Sequence, residues 1–205
     1  DRDRENEYSE NSAAKIVFGT TVSVTGKNVK AENNTAIITG EGTFIVTGAS
    51  DNGVLMVQAK ETDKMQIVFD NLTLTASNGP AVYIKCADKV FITLKGESTL
   101  TGGESYVDDE TTLDGALFSK EDLTINGEGT LNVIGKKHGV VSKDDLVLVG
   151  CTLNVKSENV CLNGKDAVKI SGGTYNLNAG SDGIRSDNTE ESDRGFIHIE
   201  DGAFK

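Results

Sequence analysis

The chain is 205 residues long, 37% apolar and only 5% aromatic, with 23 Gly, 1 Pro and no Trp. That is room for one thin core, and the Gly marks tight corners rather than a Pro/Gly/Ser linker. A net charge of −12 excludes a phosphate-binding footprint, and so nucleic acid, and disfavours anionic membrane surfaces. No run approaches the roughly 18 apolar residues of a bilayer span, so direct membrane insertion is not expected.

Residues 1–14, DRDRENEYSENSAA, are polar, charged and aperiodic. They carry no signal-peptide pattern, and the reading is a mature start and a disordered tail or tether. From Lys15 onward the chain reads as short alternating strands broken by Gly, Asn and Asp. No stretch has a helical period.

The main organising feature is an internal repeat. LTINGEGTLNV starts at Leu123, LVLVGCTLNV at Leu146, VKISGGTYNL at Val168 and IHIEDGAF at Ile197, with starts 23, 22 and 29 residues apart. The longer step holds an insertion within DNTEESDRG, and an acidic insert, YVDDETTLD, precedes the first of these repeats. Two short strands per repeat with Gly corners predict an all-β right-handed parallel β-helix. It is a single-stranded solenoid of about 22–25-residue coils over 15–205, equivalent residues stacking about 4.8 Å apart. Leu131, Leu153 and Tyr175 then form one inward column, and Ile125, Leu148 and Ile170 another. Asn132, Asn154 and Asn176 form an amide ladder. The repeat stops within a strand at Phe204–Lys205, so a continuation of the chain or a partner is expected at that end.

Cys86, Cys151 and Cys161 are an odd set without a C-x-x-C motif. They are read as small core residues, a Cys151–Cys161 disulfide being the alternative.

A second repeat lies in the turns: DGALFSKEDL from Asp114, HGVVSKDDL from His138, NVCLNGKDAV from Asn159 and DGIRSDN from Asp182. Stacking places Glu121, Asp144 and Asp166 in one column and Lys120, Lys143 and Lys165 in the next. Asp122 and Asp145 form a third, and Asp114, His138, Asn159 and Asp182 a fourth, with Asp187 after it. Stacked carboxylates repel. Either the lysine column neutralises them on a solvated face, or carboxylates and carbonyls of adjacent coils hold Ca²⁺, which takes six to eight oxygens. The candidate metal ligands are Asp122, Asp144, Asp145, Asp166, Asp182 and Asp187. His138 and His198 support no nucleophilic triad. Tyr106, in the acidic insert, is the exposed aromatic best placed to stack on a sugar, with Lys143 and Arg185 as charged ligand contacts.

SKEDLTINGEGTLNV, HGVVSKDDL, VKISGGTYNL and AGSDGIRSDN resemble the secreted carbohydrate-binding domain-containing proteins of clostridial-type bacteria, pectate-lyase-like in fold. The resemblance covers about residues 36–205. It implies calcium ligands around Asp182 and around Asp144–Asp145, and binding of plant cell-wall polysaccharide. His138-Gly-Val and Asn159-Val-Cys depart from the family's Asp-Gly-Ile turn. The expected function is that of a bacterial module, secreted or attached to the cell surface. It binds polysaccharide with the help of Ca²⁺, favours uronate-containing or cellulosic glycans and does not cleave them. The alternatives are a calcium-dependent pectate-type lyase with Lys143 as the base, and a structural or adhesive surface protein.

Overall fold

Strands form where apolar and polar residues alternate, and they end at Gly, Asn or Asp. A computed structural model describes residues 2–205. Among them the one helical element is a 3-10 turn at Arg2–Arg4. The N-terminal strands β1 (Ala14–Phe18) and β2 (Ser23–Thr25) pair antiparallel, as do β3 (Val29–Glu32) and β4 (Thr35–Ile38). There follow β5 (Gly42–Ser50), β6 (Val54–Gln58), β7 (Lys64–Thr75), β8 (Val82–Cys86), β9 (Lys89–Lys95) and β10 (Glu97–Thr101). The acidic insert folds as a hairpin of β11 (Tyr106–Asp108) and β12 (Thr111–Leu113). The repeats then give β13 (Gly115–Ser119), β14 (Asp122–Gly127), β15 (Thr130–Gly135), β16 (His138–Ser142), β17 (Asp145–Val149) and β18 (Thr152–Ser157). The chain continues through β19 (Leu162–Gly164), β20 (Ala167–Ala179), β21 (Ile184–Arg185) and β22 (Phe196–Phe204).

The expected open right-handed β-helix solenoid is corrected by the hydrogen bonding. In the 12-stranded sheet, β7 pairs with both β9 and β10, and β20 with both β17 and β18. With β9–β14–β17 on one side and β10–β15–β18 on the other, all parallel, the ladder closes into an eight-strand barrel. Strands β1, β2, β5 and β22 are added outside that ring. The cause lies at the corners. Intermediate repeats break there, at Gly96, at Glu128–Gly129 and at Gly150–Cys151, whereas Lys64–Thr75 and Ala167–Ala179 run through unbroken. Asn71 (φ 54°) makes the bend in β7, and Gly172 and Gly173 make it in β20 with shifts of register. A second, eight-stranded sheet, ordered β21-β19-β16-β13-β8-β6-β4-β3, packs on the same core.

Register bears out the columns. Leu131, Leu153 and Tyr175 align and are fully buried, as do Ile125, Leu148 and Ile170. Burying each such aliphatic side chain contributes about 1.5–3 kcal/mol. The amide ladder is also present: Asn154 Nδ2 donates to Asn132 Oδ1 at 2.8 Å, and Asn176 Nδ2 to Asn154 Oδ1 at 2.7 Å. The fourth turn column is corrected by one position. His138 aligns with Val160 and Asp182, while the Ser181 N–H donates to the carbonyl of Asn159. All three cysteines are free, with Cys151 and Cys161 in the core and Cys86 half-buried. Phe204 stacks on Tyr175 at 5.1 Å.

Candidate functional site

Each S-K-x-D turn is tied by its own serine, the local hydroxyl-to-backbone bonding that such turns favour. Ser119 Oγ donates to the carbonyl of Glu121 at 2.7 Å, and so does Ser142 Oγ at 3.0 Å. The Asp144 N–H in turn donates to Ser142 Oγ at 3.2 Å. This fixes the turn so that the next residues enter β14 and β17 with their carboxylates on the outer face. The Asp145 N–H donates to Asp122 Oδ1 at 3.2 Å, locking the two repeats together.

The result is a three-carboxylate cluster. Asp122, Asp144 and Asp145, each half-buried, offer oxygens that all lie within 4.8 Å of one another. They line an open cleft of about 380 Å³ with Asp166, Lys169, Asp193, Arg194 and Phe196. Burial pushes the Asp122 carboxyl above its ordinary value, with the charge of Asp145 adding and Lys89 and Lys169 opposing. Burial also raises Asp144, helped by Asp122 and Asp145 and opposed by Arg194. By formal charge, three carboxylates face two cations, Lys169 at 2.5 Å from Asp145 and Arg194 at 3.5 Å from Asp144, and Arg194 is shared with Asp166. Hard carboxylate oxygens with uncompensated charge are a donor set that suits Ca²⁺.

Of the other expected ligands, Asp166 lines the same cleft outside the cluster, and Asp182 and Asp187 sit elsewhere. Asp166 is buried, accepts from Asn188 Nδ2 at 2.7 Å and is ion-paired to Arg194. Asp182 and Asp187 flank Arg185 at 3.9 and 3.3 Å, out on β21 of the eight-stranded sheet. Lys143 lies 5.7 Å from the Phe118 ring centroid, so its ammonium is turned away from the cluster toward the outer face of β13. His138 is a buried structural group: its Nδ1 accepts the Val160 N–H at 3.3 Å, and burial lowers its pKa although Asp114 opposes. Tyr106 is 41% exposed and borders a separate cleft with Tyr83, Lys85 and Asp108. There Asp108 accepts from the Tyr83 hydroxyl at 2.8 Å and from Lys85 at 2.9 Å.

Lys169, Asp193, Arg194 and Phe196 are the cleft residues that sequence reasoning missed. Lys169 read as one outward strand residue among many. Arg194 lies in the insertion DNTEESDRG, which reads as spacer; its one signal is a lone Arg at the end of an acidic run.

A family model described as carbohydrate-binding domain-containing protein matches residues 32–205. The chain belongs to this family. A carbohydrate-binding domain-containing protein of Acetivibrio thermocellus is 32% identical over 201 residues, a match covering 94% of this chain and 70% of the relative. A solved structure, described as that of the polysaccharide lyase-like protein from C. thermocellum in its gadolinium derivative, superposes with a TM-score of 0.89 at 30% identity. The overlap covers 94% of this chain and 81% of that one. The family match over residues 32–205 takes in the carboxylate cluster.

Proposed function

We propose that this carbohydrate-binding family member acts outside the cell, secreted or surface-attached, as a calcium-assisted module for cell-wall polysaccharide that favours uronate-containing chains. The observation that carries this is the open cluster of Asp122, Asp144 and Asp145, whose oxygens all lie within 4.8 Å of one another in a cleft that three carboxylates share with two cations, Lys169 and Arg194. A chain of net charge −12 repels a polyuronate. A divalent cation held by these three oxygens supplies the positive charge that a uronate carboxylate needs, and Lys169 and Arg194 flank the same opening. Six to eight oxygens around Ca²⁺ leave positions for ligand carboxylates beyond the three from the protein. The test is retention in a polygalacturonate affinity gel with calcium and with chelator. Calcium-dependent retention supports the reading, and equal mobility under both conditions overturns it.

The lyase reading is favoured by one observation, the description of the structural neighbour as polysaccharide lyase-like. If it holds, the base is not Lys143, whose ammonium lies over Phe118; Lys169, beside the cluster, is the candidate. Incubation of polygalacturonate with the protein and calcium decides between them. Steady growth of near-ultraviolet absorbance from unsaturated product, lost in Lys169→Ala, marks a lyase.

A further inference from the structure

Residues 2–10 lie along the outer face of β9 and β14, and the face beneath them is built of groups that proteins use to hold sugars and carboxylates. Asp3 is the centre of the contact. Its Oδ1 is 2.8 Å from Lys89 Nζ and accepts from Thr124 Oγ1 at 2.6 Å. Asn126 Nδ2 donates to two backbone carbonyls of the segment, those of Asp3 at 3.0 Å and Glu5 at 3.1 Å. Arg2 lies over the Phe91 ring at 4.7 Å. Farther along β9, Glu10 pairs with Lys95 at 3.4 Å. Lys89 and Lys95 are six residues apart on one strand, about 20 Å. The segment thus sets two carboxylates on two lysines at either end of an extended run.

The covered face is polar in a way that packing does not require. Thr124, Asn126 and Thr93 are all nearly or fully buried, and a hydrogen-bond row runs from Gln66 Nε2 to Thr93 Oγ1 (2.9 Å) and on to Asn126 Oδ1 (2.8 Å). Buried hydroxyls and amides cost free energy unless partnered. Here the row ends on the segment's carbonyls. Phe91 adds a ring face, and Asp122, on the same strand and face as Thr124 and Asn126, places the carboxylate cluster next to it.

We propose that the face formed by Lys89, Phe91, Thr124 and Asn126 is a binding groove for an extended uronate chain, and that residues 2–5 occupy it as an internal stand-in that such a chain displaces. Asp3 takes the place of a uronate carboxylate, the Asp3 and Glu5 carbonyls that of sugar oxygens, and Arg2 that of a sugar ring on Phe91. The ligand class rests on the uronate reading above. An occupied groove binds its ligand more weakly, by the fraction of molecules in which it is free.

Titration calorimetry of oligogalacturonate in calcium compares the full chain with one lacking residues 1–10. Removal uncovers the polar row and Phe91 and gives up the exposed Arg4–Glu200 pair on β22, none of it part of the apolar core, so the barrel should keep its fold, as circular dichroism checks. Affinity should rise about tenfold on removal, corresponding to roughly 90% occupancy of the groove by the segment. Asp3→Ala in the full chain should give part of that gain, which keeps the test available if the shortened chain does not fold. Lys89→Ala in the shortened chain should lose the gain. A synthetic peptide of residues 1–12 added to the shortened chain should compete with the oligogalacturonate. Equal or weaker affinity in both the shortened chain and Asp3→Ala overturns this inference and leaves the calcium reading standing. A gain on removal that persists in chelator supports the groove while sinking the calcium reading. No uronate binding by any form overturns both.

Discussion

Two groups of acids that look alike in the turn motifs meet different fates. Asp122, Asp144 and Asp145 converge on one cleft with carboxyls pushed upward, whereas Asp182 and Asp187 stand on either side of Arg185. The first group gathers its oxygens in one open cleft, where Arg194 is shared with buried Asp166; the second is spread on either side of a single arginine, Arg185. A column of carboxylates is therefore not a site by itself. What distinguishes one is where the cations of neighbouring repeats point, and here Lys143 turns toward Phe118 while Arg185 turns toward the two aspartates it might have left free.

The sharpest way to break that contrast is calcium itself. At about 100-fold above its dissociation constant, an ion bound only by the folded state adds ~2.7 kcal/mol. For a chain of this size that is about 5–10 °C in melting temperature. Scanning calorimetry should show this rise in the native protein and in Asp182→Asn, but not in Asp122→Asn/Asp145→Asn. A rise lost in Asp182→Asn and kept in the double variant would move the metal site to β21.

The two arginines give the next contrast. Arg194 pairs with Asp166, which is buried, so Arg194→Ala leaves a buried carboxylate with Asn188 as its remaining polar partner. Urea unfolding should show a loss of about 2 kcal/mol, below the roughly 3–5 kcal/mol for a fully buried pair because Asn188 remains and Arg194 is half-exposed. Arg185→Ala removes two half-exposed pairs and should cost about 0.5 kcal/mol. Equal losses would mean that burial at Asp166 is not what separates the two regions.

Much of this was legible in the sequence. The period of 22–23 residues, the inward columns and the Asn ladder follow from alternation and spacing, which are local properties. So does the pairing of Asp122 with Asp145 in equivalent turns, but the column that joined Asp144 to Glu121 and Asp166 did not show Asp144 converging with those two. Closure of the ring was not legible. It depends on β7 and β20 running through a corner where equivalent strands break, and Asn71 or Gly172–Gly173 bend a strand as readily as they end one. Side-chain direction at a turn was hidden as well: Lys143 and Asp144 are adjacent in sequence and face different sides. The docking of Asp3 on Lys89 joins residues far apart in the chain, and a polar segment of no period gives no sign of its partner.

The smallest expected effect is the most specific to the cluster, because its sign changes with the metal. Asp144 has a folded-state carboxyl raised above its ordinary value, by burial first and by Asp122 and Asp145 next. An acid shifted upward binds protons more tightly when folded than when unfolded. Its contribution therefore destabilises the metal-free protein as pH rises from about 3.9 through the raised value, and is absent below that window. Asp144→Asn removes the charge and keeps the shape. In chelator at neutral pH it should stabilise the protein, by only about 0.5 kcal/mol, because the side chain is 43% exposed and solvent screens the repulsion. The gain should shrink to nothing as pH falls toward 3.9. With calcium present the same substitution removes a ligand oxygen and should destabilise instead. Urea midpoints of the two proteins across pH 4 to 8, with and without calcium, should therefore cross. Curves for Asp144→Asn that lie below the native protein in chelator at neutral pH would show that Arg194 already offsets the charge. The cluster would then hold its charge within the chain, without need of a metal.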